Sequence, residues 1–169
     1  RARRQRQMCI RDSFSCLYGA VNGKVYFIRN TPTTDDDVFD SNDMEHIGQM
    51  FDTKKMNSAP FCADFDGDND IDCIVGYDDG AQETGVQLWE SSCGQEYCVL
   101  DGKNYTKKSD NFFAAAFDAT IRYPKPFCID MDEDDDLDCL IGDKDGTVHY
   151  LRNDGNTTVP RWTYITSDY

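Results

Sequence analysis

Two stretches of the chain are near copies of each other, 66 positions apart, and each sets five aspartates on alternate residues between two cysteines. They read PFCADFDGDNDIDCIVGYDDG from Pro60 and PFCIDMDEDDDLDCLIGDKDG from Pro126. The two align without a gap and share the Pro, the Phe, both Cys, all five Asp and three residues of the closing turn. Self-similarity at a fixed period marks a repeat architecture, in which one supersecondary unit is copied and stacked. Each copy here carries its own cluster of hard oxygen donors.

Carboxylates on every second residue converge on one cation only if the backbone wraps around it. Calcium takes six to eight oxygen ligands at about 2.3 to 2.6 Å, whereas magnesium holds a small octahedron rich in water. Two calcium ions are therefore expected, one per loop. In the first loop the side-chain ligands would be Asp64, Asp66, Asp68 and Asp72, with Asp70 offering its main-chain carbonyl. The second loop offers Asp130, Asp132, Asp134 and Asp138, with Asp136 in the carbonyl role. An EF-hand is excluded, because it needs a Glu at loop position 12 and a helix on each side. Position 12 is Val75 or Ile141, and the flanking PFC, DCIVG and DCLIG segments read as strands. Asp79-Gly80 and Asp145-Gly146 close them as hairpin turns.

The run DFDGDNDIDCIVG resembles the DxDxDGxxD core of the FG-GAP and VCBS repeats, the blades of integrin-α-type β-propellers. From Gly146, GTVHYLRNDGNTTVPRW is similar to that family's sequence of a hydrophobic strand, Asn, Gly, and then Pro with an aromatic. The resemblance runs from about Phe14 onward. It implies an all-β fold: a partial β-propeller of antiparallel four-stranded blades. One departure is that Asn69 and Asp135 stand at loop position 6, where the family usually has Gly. That position calls for a left-handed backbone, which Asn and Asp tolerate better than other non-glycine residues.

A third, partial copy opens the chain. SCLYGAVNGKVYFIRN, from Ser15, superposes on DCLIGDKDGTVHYLRN, from Asp138, so that Cys16 falls on Cys139, Gly19 on Gly142, Gly23 on Gly146 and Asn30 on Asn153. The organisation read from this alignment is a blade remnant over 14–30, a blade with the first loop over 31–109 and a blade with the second over 110–169. Residues 1–13, RARRQRQMCIRDS, match none of it and resemble translated adaptor sequence, a leader to be set aside before fold reasoning. Closed propellers use about four to eight blades. The 169 residues are accordingly expected to be a segment whose partners include the remaining blades of the same propeller.

The net charge of −15 is concentrated in the loops: Asp64 to Asp72 carries five carboxylates and Asp130 to Asp138 carries seven. Acidity of that kind gives no reason to bind the phosphates of a nucleic acid. No apolar run reaches the length of about 18 that a membrane span requires. The acidic stretch TTDDDVFDSNDME, from Thr33, lacks the alternation of the loops and reads as a solvated connection.

The cysteines bracket the loops, Cys62 with Cys73 and Cys128 with Cys139. A bridge across each pair would close about a dozen residues, for roughly 3 kcal/mol by chain entropy. Cys93 and Cys98, in SSCGQEYC, read as a third, local bridge, while Cys16 lacks a partner and Cys9 belongs to the leader. The competing reading is a zinc site or free thiols, although His46 and His149 sit near neither pair. The sequons at Asn104 and Asn156 agree with the disulfide reading and with an extracellular, cell-surface or secretory-lumen location.

No catalytic residue can be assigned: there are two His, no Gly-rich phosphate loop and no nucleophile elbow. His149 aligns with Tyr26 and Gln87 as an ordinary strand residue, and Trp89 and Trp162 either pack between blades or stack on a sugar. The family resemblance implies a non-enzymatic role in extracellular recognition or adhesion, toward a protein or glycan ligand. The alternative is the non-catalytic propeller portion of a secreted hydrolase or lyase.

Overall fold

Each repeated segment folds as an antiparallel meander because its apolar residues come in short branched and aromatic runs separated by Asp-Gly or Asn-Gly turns. The computed structural model describes residues 16–30, 44–80, 83–92, 104–116 and 121–166. It is all-β, with no helix among the described residues. Three sheets follow one another along the chain. The first holds β1 (Cys16–Gly19), β2 (Lys24–Asn30) and β3 (Met44–Asp52). The second holds β4 (Ala59–Ala63), β5 (Asp72–Asp78), β6 (Thr84–Ser91) and β7 (Tyr105–Ser109). In the third are β8 (Lys125–Ile129), β9 (Asp138–Gly142), β10 (Val148–Asn153) and β11 (Trp162–Thr166).

The internal repeat is carried into the registers. Cys16 pairs with Ile28, Cys73 with Trp89 and Cys139 with Leu151, at equivalent places in the three sheets. The turns match as well, with Gly23, Gly80 and Gly146 at φ of 84°, 77° and 84°. β3 lies beyond the 14–30 segment and completes the first sheet by pairing with β2.

The second sheet lies between the other two, and β4 runs beside both β1 and β8. Its strand β5 is buried at every residue, so both faces are covered. One face, with Cys62, Cys73 and Val75, packs on Val25, Phe27, Met50 and Phe51 of the first sheet. The other, with Ile74 and Val86, packs on Cys139, Ile141 and Leu151 of the third. Full burial of an aliphatic side chain such as Ile74 stabilises by about 1.5 to 3 kcal/mol, so these two interfaces dominate the fold. Both tryptophans belong to them: Trp89 stacks on Phe51 at 4.5 Å, and Trp162 meets Phe113 edge-on at 5.0 Å. Packing accounts for both rings.

Candidate metal centre

Each acidic loop bridges the first two strands of its sheet, β4 to β5 and β8 to β9, which the cysteines lock at the base. Cys62 lies opposite Cys73 and Cys128 opposite Cys139, and both pairs are disulfide-bonded. Zinc ligation or free thiols are thereby excluded for these four. Cys93 and Cys98 lie outside the described residues.

The loop backbone turns on two left-handed residues at equivalent positions. Gly67 and Glu133 have φ of 77° and 66°, and Asn69 and Asp135 have φ of 71° and 72°. The left-handed conformation expected at position 6 is therefore present in both copies without a glycine. Asp64 caps the first turn, its Oδ1 accepting from the Gly67 N–H at 2.7 Å and its Oδ2 from Asn69 at 3.2 Å. Asp130 does the same for Glu133 at 2.8 Å and Asp135 at 3.2 Å.

This winding brings three carboxylates of each loop together. Ligand oxygens of Asp64, Asp66 and Asp68 lie within 4.8 Å of one another, and so do those of Asp130, Asp132 and Asp134. The other aspartates are set deeper. Asp70 and Asp136 are buried, each donating its N–H to the Oδ1 of the aspartate two residues earlier, Asp68 at 2.9 Å and Asp134 at 3.1 Å. Asp72 and Asp138 open β5 and β9 and are almost wholly buried. The backbone N–H of Ser91 holds Asp72 Oδ1 at 2.9 Å, and that of Asn153 holds Asp138 Oδ1 at 2.8 Å.

The remaining oxygens of that deep pair differ. Asp138 Oδ2 accepts from the Tyr150 hydroxyl at 2.9 Å and from Met131 N–H at 3.3 Å. Asp72 Oδ2 is buried with no hydrogen-bond donor, as is Asp136 Oδ1. A buried carboxylate oxygen without a donor is costly unless a cation faces it. Burial pushes the Asp72 carboxyl up to about 7, with the charges of Asp66, Asp70 and Asp68 adding to the effect. Burial, then Asp134 and Asp138, pushes Asp136 up to about 6. These are the effects a divalent cation reverses, and oxygen-only donors suit a hard one. The donor set therefore fits calcium.

The first loop abuts the third sheet. A Cβ added at Gly67 would lie 3.3 Å from Thr158 Cγ2, in the turn that holds the exposed Asn156. Asn156 Oδ1 accepts from Thr158 N–H at 3.0 Å, from its hydroxyl at 2.8 Å and from Val159 N–H at 2.9 Å. Asn104 is half-buried just before β7. His149 is buried on β10 with Nε2 3.2 Å from Asp143 Oδ2. The backbone anchors at Ser91 and Asn153 were not legible in the sequence, although the alignment of Asn153 with Asn30 marks the place.

The chain matches no protein family, no curated protein and no solved structure. No described helix is long and apolar enough to cross a membrane.

Proposed function

We propose that the chain is a calcium-stabilised segment of an FG-GAP/VCBS-type β-propeller, acting outside the cell in recognition or adhesion toward a protein or glycan. Asp64, Asp66, Asp68 and Asp72 would hold one ion, and Asp130, Asp132, Asp134 and Asp138 the other, with Asp70 and Asp136 adding oxygen beneath them. The role of the ions is structural: each offsets the mutual repulsion of its loop's carboxylates and fixes the hairpin that the disulfide closes. One observation carries the metal reading. Two separate loops gather equivalent aspartates to within 4.8 Å while leaving buried oxygens, Asp72 Oδ2 and Asp136 Oδ1, without a donor.

The three successive antiparallel meanders and the two disulfides support the propeller and oxidising-compartment parts of the reading. Calorimetric titration tests the metal sites. We expect two calcium ions to bind with dissociation constants on the order of 0.1 to 1 mM. At free calcium tenfold above that value each site adds about 1.4 kcal/mol by mass action, so the urea midpoint should rise. Absence of uptake, or uptake unchanged in Asp66→Ala combined with Asp132→Ala, would remove the assignment.

A further inference from the structure

Both acidic loops touch one element, the hairpin that joins β10 to β11. Asn153, the last residue of β10, folds it: Asn153 Oδ1 accepts from the N–H groups of Gly155 at 3.0 Å and Arg161 at 2.8 Å. The Asp154 N–H donates to Arg161 O at 2.8 Å across the same base. Asn153 is 3% exposed, so water does not compete for these bonds. At the tip, the Thr158 N–H and hydroxyl both donate to Asn156 Oδ1.

The tip rests on the first loop and the base holds a carboxylate of the second. A Cβ added at Gly67 would lie 3.3 Å from Thr158 Cγ2 and 3.5 Å from Thr157 Oγ1, so little more than a methyl group's width separates the loop backbone from the tip. At the base, the Asn153 N–H donates to Asp138 Oδ1 at 2.8 Å. Between these contacts Asp64 and Phe65 of the first loop, Leu137 of the second, and Asn153 and Trp162 line one gap of about 20 Å³. That is room for about one water molecule. Packing this close transmits a displacement instead of absorbing it.

We infer that calcium binding in the two loops is coupled through this hairpin, so that loading either loop tightens the other several-fold. The inference rests on the calcium reading of the loops, which stands on more than their acidity: Asp72 Oδ2 and Asp136 Oδ1 lack a donor in carboxylates only 1% and 4% exposed. With a cation in the first loop, Asp64, Asp66 and Asp68 no longer repel one another, and the turn at Gly67 against which Thr158 packs is fixed. A fixed tip restricts the hairpin, and with it the Asn153 N–H that positions Asp138. The second loop is then already ordered when it binds, which gives cooperativity without a change of fold. Linkage makes the effect reciprocal. Repulsion between two dications opposes it but is screened over about 8 Å at 0.15 M salt.

Calcium calorimetry on the whole chain at that ionic strength, together with amide exchange, tests it. Asp132→Ala and Asp66→Ala leave only the first or only the second loop able to bind, and each variant should bind several-fold more weakly than the second step of a positively cooperative wild type. In both variants calcium should also slow exchange at the hairpin amides of Asp154, Asn156 and Val159. Thr158→Ser removes the methyl facing Gly67 and keeps the hydroxyl, and Asn153→Ala opens the hairpin and keeps the N–H toward Asp138. Each should bind two ions in independent steps. Thr158 is exposed, so its variant keeps the test valid if Asn153→Ala misfolds. Wild-type binding in two independent steps overturns the inference and leaves the calcium reading intact, whereas absence of uptake removes both. Cooperativity undiminished in Thr158→Ser, or hairpin exchange that calcium leaves unchanged, also overturns it.

Discussion

Arg122 grips the buried carboxylate of Asp78 with both Nε and Nη2, although the two residues stand 44 positions apart. Asp78 ends β5 and is 1% exposed, and it also accepts from the backbone N–H groups of Gly80 at 2.9 Å and Tyr123 at 3.1 Å. One carboxylate thus joins the turn after β5 to the segment that enters β8. It couples the second sheet to the third through charge, beside the apolar core that couples them through burial.

We predict that this link makes stability depend on acid. The Arg122 hydrogen bond above all, against the opposing effect of burial, holds the Asp78 carboxyl below its ordinary value. A depressed carboxyl contributes stability that is fully present above the unfolded value of about 3.9 and is lost as pH falls through the folded one. The difference in urea midpoint between wild type and Asp78→Asn should therefore shrink below about pH 4. At neutral pH Arg122→Ala should lower the urea midpoint, because it leaves the buried Asp78 carboxylate without its charged partner. A pH-independent difference between wild type and Asp78→Asn would show that the carboxylate's charge is irrelevant.

The loops and their hairpins were readable because every step there is local. Alternating Asp, flanking Cys and a closing Asp-Gly are all set by neighbours in sequence, and Cys62 does face Cys73. β3 was harder to read. It falls at the end of an acidic stretch read as a solvated connection, and two register shifts against β2 interrupt its alternation, with Gly48 at φ 116°. Its adjacent residues Met50 and Phe51 are both buried, which no period-two pattern would give. The Asp78–Arg122 link joins residues with no shared local pattern. Nor could the sequence distinguish Asp138 from Asp72, because the difference lies in the Met131 N–H and in the hydroxyl of Tyr150, a residue that replaces Leu88.

That hydroxyl should set the two metal sites apart. In the second loop Tyr150 engages the Asp138 oxygen whose counterpart, Asp72 Oδ2, has no donor. Tyr150→Phe, made together with Asp66→Ala so that only the second loop reports, should tighten calcium binding several-fold in calorimetry. Unchanged or weaker binding would mean that Asp138 Oδ2 takes no part in coordination.

The disulfides should contribute independently of the ions. Mass spectrometry without reduction is expected to find Cys62 with Cys73 and Cys128 with Cys139. Replacing either pair by alanine should cost about 3 kcal/mol, the chain-entropy value for a loop of about a dozen residues. Calcium-free and calcium-loaded samples should show the same loss if bridge and ion act on separate steps. A pairing between the two repeats would contradict the strand registers themselves.

Gly76 and Gly142 provide the sharpest contrast between occupied and open copies of one position. At Gly76 a methyl group would lie 2.0 Å from Pro124 O and 2.8 Å from its carbonyl carbon, both backbone atoms of the segment leading into β8. Neither can swing aside as a side-chain tip can, so Gly76→Ala must displace the third sheet. Overpacking of this kind costs about 1 to 3 kcal/mol, and the interface built on Ile74 and Ile141 would loosen with it. At Gly142 the same methyl meets nothing among the described residues closer than Lys125 O at 4.0 Å. Gly142→Ala should lie within about 0.5 kcal/mol of wild type, as for an ordinary surface change. The comparison is read from urea midpoints. Equal effects at the two positions would mean that the second and third sheets do not pack through this glycine, and the repeated interface would have to be redrawn.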